Sequence, residues 1–597
     1  MLQDAAFDEF MESAYLEMMR EVPELPMLMG ILQVGAVPCP LDRFSLVSDE
    51  AVDARARLLE SIAQRLATFP RDSLSADRRL TAEVLDYFLS SGLEGPWIGS
   101  RGAKFARHAY LANPGHGEPS RLLDALTQQH PFRGAEDAED YLLRTGALAD
   151  ALGHIERQVV QRARRGILLP RPLLHRSIEE IRGMLALPAA SHPICRTFAE
   201  KTQALAEPKG APAADDAQAQ RRPLSPARRL SMLEALANTL EQRVLPAYES
   251  LVRELGRCMD AAAPELGVWR LPDGDAYYDF LLKAATTTEL TADEVHALGL
   301  EHVARLQAEI RSALATAGLT GADAIETLRQ LELQTRFPPS TRREAVLQRC
   351  ESIVNDMRGK IPNLFRWLPQ APVVMDPVPP FSEDVRHTMY LPSAADGSRP
   401  ACMVINLRDV AADSELDLVT LLYHELFPGH HVQFSYAQQL SGLPTFRRTV
   451  TFDAYIEGWA KYAERLPWEH GLNSDPRWHA MRLRRELLST ANLVLDTGIH
   501  SRRWTLNQAA DYLCGTTGCA PAFARSIALR SASVPAQLCA YKIGMLKVTE
   551  LKERFARIRG AAFDIRDFHS AMLESGALPL RVLERVVESA AGAVPAV

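Results

Sequence analysis

The chain has 597 residues, of which 47% are hydrophobic and 24% are charged, a composition typical of a large soluble enzyme. The formal net charge is −8 and the basic residues form no sustained tract. This balance argues against nucleic acid or an anionic membrane surface as the main partner. No apolar run reaches the length of about 18 residues that a membrane-spanning helix needs, so none is expected.

The cysteines and the N-terminus bear on the compartment. Eight cysteines are spread along the chain without zinc-knuckle or Cys-x-x-Cys spacing, which is not the pattern of a disulfide framework. The first residues are acidic and amphipathic and lack the basic region and cleavage site of a signal peptide. We therefore predict a cytoplasmic protein.

Helical periodicity dominates the chain. It predicts long helices at 136–166, 226–256 and 291–318, and the last opens with a capping-box pattern. Residues 205–228 are rich in alanine, proline and charge and lack an apolar stripe, which predicts a linker or mobile insertion. It would separate an N-terminal helical region (1–204) from a helical, metal-binding catalytic region (229–597).

Short β-branched or aromatic runs occur together at 371–375, 388–392 and 401–407. They predict a small β-sheet just before the most informative motif of the chain. An edge strand in that position can hold an extended peptide through backbone hydrogen bonds.

That motif is YHELFPGHHVQ at 423–433. Zinc proteases commonly carry His-Glu-x-x-His, with both histidines on one face of a helix. His424 and Glu425 match, but Pro428 occupies the position of the second histidine. Either the motif is broken, or the helix is deformed so that a later histidine still reaches the metal.

A deformation is expected at this point. Pro428 removes a backbone donor and Gly429 adds flexibility, so the helix should widen or kink. A bulge would bring His430 to the position that the second histidine normally has. On an undistorted helix His431 would be aligned with His424 but roughly 10 Å further along the axis, which is long for two ligands of one ion.

The third ligand is predicted in the helical segment 451–466, where Glu457 borders an apolar face. An ion pair between Glu457 and Lys461, one turn away, is the alternative. Beside two histidines that lack a carboxylate, the ligand interpretation is favoured. We predict that His424, His430 and Glu457 bind one Zn²⁺ ion.

These residue types indicate hydrolysis. Two imidazoles and one carboxylate leave a zinc position open for water. The metal lowers the pKa of that water, and Glu425 can take its proton and pass it to the leaving amine.

The chain resembles the bacterial family catalogued as domain of unknown function 885, which is placed with the zincin metallopeptidases. The resemblance rests on HELFPGHHVQ (424–433) and DAYIEGWAKYAERL (453–466). It continues at 267–303, 390–406, 494–513, 535–555 and 563–584, so it covers nearly the whole chain. It implies a mainly α, large helical zincin-like fold with a deep cleft and a small β-sheet beside the metal-binding helix.

The resemblance also implies roles for individual residues. Gly429 and His430 fall on the Gly-His pair of the second-ligand position, so His430 is preferred, and His431 would contact the ligands or the substrate. His500 and Tyr541 would stabilise the developing oxyanion or bind the substrate carbonyl. The alternatives are a hydrogen-bonded core histidine and a packed helical tyrosine.

Further residues are assigned to the substrate. Arg530, Lys542 and Asn406 are predicted to bind it, although structural ion pairs would equally explain the two basic side chains. Asp496 would orient His500 from one turn away on the same helix.

One departure affects specificity. The family typically shows Arg-Ala-x-Arg where this chain has Ser489 and Asn492, so a carboxylate-binding pair is missing and weak preference for a free C-terminus is expected. The first hypothesis is a zinc hydrolase that cleaves short peptides or peptide-like metabolites. The second is a metal-dependent biosynthetic enzyme on the same scaffold. The third, a non-catalytic binding protein, is disfavoured by the intact Glu425.

Overall fold

The computed structural model describes the chain except for residues 1, 29, 32, 35–36, 94–108, 207–223, 371, 381–382, 384–385, 387, 395–398 and 593–597. Most of the predicted linker at 205–228 therefore lies outside the described residues. Within the described part the protein is mainly α-helical with a small β-sheet, as the sequence predicts.

The helices before residue 260 are α1 (Leu2–Glu21), α2 (Glu24–Leu28), α3 (Asp49–Ala67), α4 (Ala76–Leu93), α5 (Glu118–Asp124), α6 (Ala135–Arg164), α7 (Arg171–Leu185), α8 (Pro193–Ala206), α9 (Pro226–Thr239) and α10 (Leu245–Arg257). Those that follow are α11 (Gly274–Thr286), α12 (Ala292–Thr316), α13 (Ala324–Gln334), α14 (Arg343–Lys360), α15 (Glu415–Glu425), α16 (His430–Gln439), α17 (Thr445–Thr449), α18 (Asp453–Ala463), α19 (Leu466–Glu469), α20 (Pro476–His500), α21 (Leu506–Thr517), α22 (Pro521–Ser533), α23 (Gln537–Arg559), α24 (Ile565–Leu573) and α25 (Leu580–Gly592). The strands are β1 (Gln33–Val34), β2 (Val37–Pro38), β3 (Val373–Pro377), β4 (Met389–Leu391) and β5 (Ala401–Ile405).

The long helices predicted from periodicity are confirmed as α6, α12 and the pair α9–α10. A π-helical turn at Leu240–Val244 joins α9 to α10, so the predicted helix at 226–256 is nearly continuous. At the start of α12 the Thr291 hydroxyl accepts from the Glu294 amide, and the Glu294 carboxylate accepts from the Thr291 amide. This reciprocal capping satisfies amide groups that a helix start leaves unpaired.

One hydrophobic core extends through the described residues from Phe7 to Ala591. Contacts between the two predicted helical regions include the Thr445 hydroxyl donating to Glu12 at 2.9 Å and the Asn113 amide donating to the Ser533 carbonyl at 2.6 Å. The N-terminal helices therefore share buried surface with the helices that carry the motif.

The predicted sheet before the motif is confirmed, with strand order β3-β5-β4. The central strand β5 pairs parallel with β3 and antiparallel with β4, and Tyr390 lies opposite Met403. All five residues of β5 are buried, which explains its continuous apolar sequence. The ribbon formed by β1 and β2 was not predicted because each strand has only two residues.

Two further observations concern membrane-spanning helices and the cysteines. In the ranges that the structure describes, no helix combines the length and apolarity needed to cross a bilayer. All eight cysteines have free thiols.

Helices α18 and α23 cross with their backbones in contact. A Cβ atom added to Gly458 would lie 2.4 Å from the Gly544 carbonyl carbon, and one added to Gly544 would lie 1.9 Å from the Ala454 carbonyl oxygen. Only glycine fits at these two positions. Because Glu457 precedes Gly458, this contact sets how closely the predicted carboxylate ligand approaches the rest of the site.

We expect Gly458→Ala to lower the free energy of unfolding by about 1–3 kcal/mol or more, because overpacking forces the two helices apart. Gly256→Ala is the matched control, since nothing lies within 4 Å of a Cβ added near the end of α10. That control should be neutral or stabilise the protein by up to about 1 kcal/mol. Denaturant unfolding followed by circular dichroism measures both. Equal effects of the two substitutions would contradict the close-packing argument.

Candidate metal centre

The motif helix stops and starts again instead of bulging. Helix α15 ends at Glu425 and α16 begins at His430, and the intervening residues include a cis Phe427–Pro428 bond. A Cβ on Gly429 would lie 1.8 Å from the His424 carbonyl oxygen. The expected deformation is therefore present, but it is a complete break, because the Gly429 backbone packs directly on the last turn of α15.

The break brings the two predicted histidine ligands together. The Nε2 atoms of His424 and His430 each lie 3.5 Å from Oε2 of Glu457. The three ligand atoms lie within 4.8 Å of one another, and no other group of this kind occurs among the described residues. Atoms bound about 2 Å from a tetrahedral ion lie roughly 3.3 Å apart, so the two nitrogen–oxygen distances of 3.5 Å suit zinc.

The unsatisfied oxygen of Glu457 supports the same interpretation. Its Oε2 is buried and has no hydrogen-bond partner of good geometry among the described residues. Buried carboxylate oxygens are normally paired, because leaving one unpaired is costly. An oxygen directed between two imidazole nitrogens is satisfied when all three share a cation.

The histidine ligands are held in place by their other contacts. His424 Nδ1 lies 3.0 Å from Oε1 of Glu464, which leaves Nε2 for a metal. Lys461 donates to Glu464 at 2.7 Å, so the predicted alternative of a Lys461–Glu457 pair is wrong. The Trp459 indole donates to the Pro428 carbonyl at 3.2 Å and ties α18 to the interhelical loop.

Burial and charge shift the acid–base properties of the site. Although burial opposes protonation of His424, its interactions with Glu457 and Glu464 raise its pKa to about 9. Burial alone would raise the carboxyl pKa of Glu457, but the hydrogen bonds and charges of the two histidines outweigh it and hold this pKa well below its usual range. Burial raises the pKa of Glu425, and a raised carboxyl pKa suits a group that must both accept and return a proton.

His431 lies beside the ligand group but not in it. Its side chain is fully buried, its Nδ1 lies 3.0 Å from the Tyr390 hydroxyl, and its ring packs on Phe427. Tyr390 belongs to the edge strand β4 and also stacks over His430, with 6.5 Å between ring centroids. Sequence reasoning missed Tyr390, although the predicted edge strand beside the motif could have indicated it.

Tyr541 and Arg530 also lie at the site. The Tyr541 ring is nearly parallel to the His424 ring, with 6.2 Å between their centroids. Arg530 donates to the Tyr541 hydroxyl at 3.1 Å and to Gln537 at 3.3 Å. Helix α23 thus places a hydroxyl group, oriented by a guanidinium, next to a predicted ligand.

His500 has the environment of the alternative named above, a hydrogen-bonded core histidine. Its ring is fully buried, Nδ1 accepts from the Val268 amide at 3.2 Å, and Nε2 lies 3.1 Å from the Ser531 carbonyl. Asp496 accepts from the Tyr278 hydroxyl at 2.6 Å and from the Ser531 hydroxyl at 2.8 Å. These residues join α20 to its neighbours inside the core.

Lys542 and Asn406, both predicted to bind the substrate, have internal partners. Lys542 is fully buried and pairs with Glu486 at 2.7 Å, which is the structural ion pair given above as its alternative. The Asn406 amide donates to the carbonyl oxygens of Glu383 and Arg386, each at 2.7 Å. Its amide nitrogen therefore holds the loop before β4 in shape, while Asn406 also lines one of the two cavities beside that strand.

Two cavities reach the beginning of β4. One, of about 410 Å³, is lined by Met389 together with Phe452 and Gln537. The other, of about 300 Å³, is lined by Thr388 and by Leu421 of α15. These volumes lie towards the lower end of the range of about 300–1,000 Å³ that small-ligand sites have.

Two solved structures resemble the fold. The first is that of a "putative lipoprotein" from Colwellia psychrerythraea, with 27% identity, a TM-score of 0.87, and 98% of this chain and 99% of that chain covered. The second, a "putative lipoprotein of unknown function" from Shewanella oneidensis, has 16% identity and a TM-score of 0.68 over the same shares, and indicates the fold alone.

A comparison with curated proteins finds no match. The model of the family described as "Bacterial protein of unknown function (DUF885)" matches residues 23–587. Since this match spans nearly the whole sequence, the chain belongs to the DUF885 family of bacterial proteins.

Proposed function

We propose that the protein is a zinc-dependent hydrolase that cleaves amide bonds of short peptides or peptide-like molecules. The observation that carries the proposal is the convergence of His424, His430 and Glu457, with ligand atoms within 4.8 Å, next to the buried Glu425. Two imidazoles and a carboxylate form a donor set that leaves one coordination position for water.

Each residue of the site has a chemical task in this proposal. His424, His430 and Glu457 would hold the zinc ion, which would supply Lewis acidity at the site. Glu425 would accept a proton from the attacking water and return it to the leaving amine. Arg530 donates to the Tyr541 oxygen, so the hydroxyl hydrogen of Tyr541 can be donated to the developing oxyanion.

A biosynthetic enzyme on the same scaffold is the second candidate, because Ser489 and Asn492 replace the arginines of the family pattern. The Ser489 hydroxyl donates to the Arg485 carbonyl at 3.1 Å, and Asn492 is buried. Neither side chain supplies a charge for a peptide terminus. A binding protein without catalysis remains less favoured, since it needs no carboxylate at Glu425.

The first test is metal content. Purified protein should contain one zinc ion per chain by mass spectrometry of the metal, and His430→Gln should lose it, because two ligands bind zinc poorly. His431→Gln should keep zinc, since His431 faces Tyr390. Circular dichroism confirms that both variants are folded. Loss of zinc from His431→Gln but not from His430→Gln would reverse the assignment of the second ligand.

The second test concerns the proposed base. Glu425→Gln should keep the zinc and the fold but lower turnover of a short peptide by about 10²-fold or more, the scale of general acid–base catalysis. Glu469→Gln is the matched control, since Glu469 pairs with Arg465 away from the site. Equal turnover of Glu425→Gln and the parent protein, at full zinc occupancy, would refute the hydrolytic mechanism.

The third test concerns Glu464, which positions His424 without touching the metal. Glu464→Gln should weaken zinc binding by about 10–100-fold, the usual effect of losing such a partner. The double variant Lys461→Met, Glu464→Gln removes both members of the buried pair and should show the same weakening without an unpaired lysine. Competition with a chromophoric chelator measures the affinity. An unchanged zinc affinity in both variants would show that the His424–Glu464 contact has no such role.

A further inference from the structure

Arg336, Arg484 and Arg485 line the second cavity, and of these three only Arg485 has no ion pair among the described residues. It lies on α20 and lines the cavity of about 300 Å³ beside α15. Its Nε atom is buried and has no hydrogen-bond partner among the described residues. The preceding residue, Arg484, instead pairs with Glu332 at 2.7 Å and approaches Asp417 at 3.6 Å.

The cavity leads towards the metal centre. Leu421 and Asp417 line it and precede His424 by about one and two turns on the same side of α15. A ligand in the cavity would therefore lie along the helix that carries His424 and Glu425.

The cavity combines this cation with an apolar wall. Apolar side chains that line it are Phe337, Val346, Ile405, Leu418, Leu421 and Leu488. Three carboxylates line it too: Glu332 and Asp417 accompany Arg484, and the exposed Asp413 forms no ion pair with Arg485 in the part of the chain that the structure describes. The chemistry matches a ligand that carries an apolar group next to a carboxylate.

Helix α20 explains how the charge comes to be there. Arg485, Ser489 and Asn492 are spaced i, i+4 and i+7, so they share one face of the helix. Ser489 and Asn492, at the positions where the family pattern has arginine, are neutral, and the cationic Arg485 lies one turn before Ser489. The predicted weak preference for a free C-terminal carboxylate considered only Ser489 and Asn492 and not Arg485.

We propose that this cavity is the subsite for the C-terminal residue of the substrate, with Arg485 binding its free carboxylate and the apolar wall taking its side chain. The proposal rests on the proposed hydrolase function and deepens it. A guanidinium can donate two parallel hydrogen bonds to a carboxylate, which neither serine nor asparagine can match in charge. A peptide ending in leucine or phenylalanine supplies both features.

Binding can be measured separately from hydrolysis in zinc-loaded Glu425→Gln protein. Calorimetric titration with N-acetyl dipeptides ending in leucine should show the free acid binding about tenfold or more tightly than the amide. Adding Arg485→Met should reduce that ratio to about twofold or less, and Arg485→Lys should retain part of it. Arg477→Met is the control on the same helix, because Arg477 is exposed and pairs with Asp475, and it should leave the ratio unchanged.

A second pair of ligands distinguishes the source of the carboxylate. Amidated dipeptides ending in glutamate or glutamine should bind about equally, because the apolar wall disfavours an acidic side chain. Equal binding of leucine acid and amide, an acid preference that survives Arg485→Met, or selective binding of the glutamate side chain would each overturn the proposal. Hydrolysis without acid preference would refute the subsite alone, whereas acid-selective binding without hydrolysis by the parent protein would refute the hydrolase.

Discussion

The contact between the Gly429 backbone and the His424 carbonyl is the constraint on which the candidate site depends. Any side chain at residue 429 would collide with the end of α15, so the chain can turn there only as glycine. The turn lets α16 restart with His430 as its first residue, beside the last turn of the preceding helix. The Trp459 indole then fixes this turn to the helix that carries Glu457. One backbone contact thus determines the relative positions of three side chains from three helices.

Charge balance is the second organising principle of the centre. The carboxylates of Glu425, Glu457 and Glu464 are all largely shielded from solvent. Burying three negative charges is unfavourable unless cations accompany them. Lys461 forms an ion pair with Glu464. The positive charges of Arg530 and Arg485 act on the carboxylate of Glu425. Glu457 and Glu464 raise the pKa of His424, so protonation of this ring compensates part of the negative charge. Binding of a divalent ion would replace that proton, so the same cluster is stabilised either way.

Sequence reasoning located the elements and the ligand group because those depend on short-range patterns. Periodicity predicts α6 and α12 directly, and Pro428 followed by Gly429 signals a break in a helix. The same reasoning could not choose between the two environments proposed for His500, because a histidine in a recognised motif looks alike whether it faces a cleft or a core. The hydrogen bonds of its two ring nitrogens depend on where Val268 and Ser531 lie, and both residues are more than 30 positions away from it in the sequence. Arg485 was missed for the converse reason, since only the fold shows which arginines lack a carboxylate partner.

The edge strand beside the metal centre also limits what can enter. In the described part of the sheet, β4 has three residues and pairs on one side with β5. An extended chain laid along such a short edge forms only a few backbone hydrogen bonds, each worth about 0.5–1.5 kcal/mol net. Backbone pairing would therefore hold a substrate loosely and without regard to its sequence. A folded protein, whose strands are already paired, would gain nothing from that edge, whereas a short unstructured chain could pair with all of it.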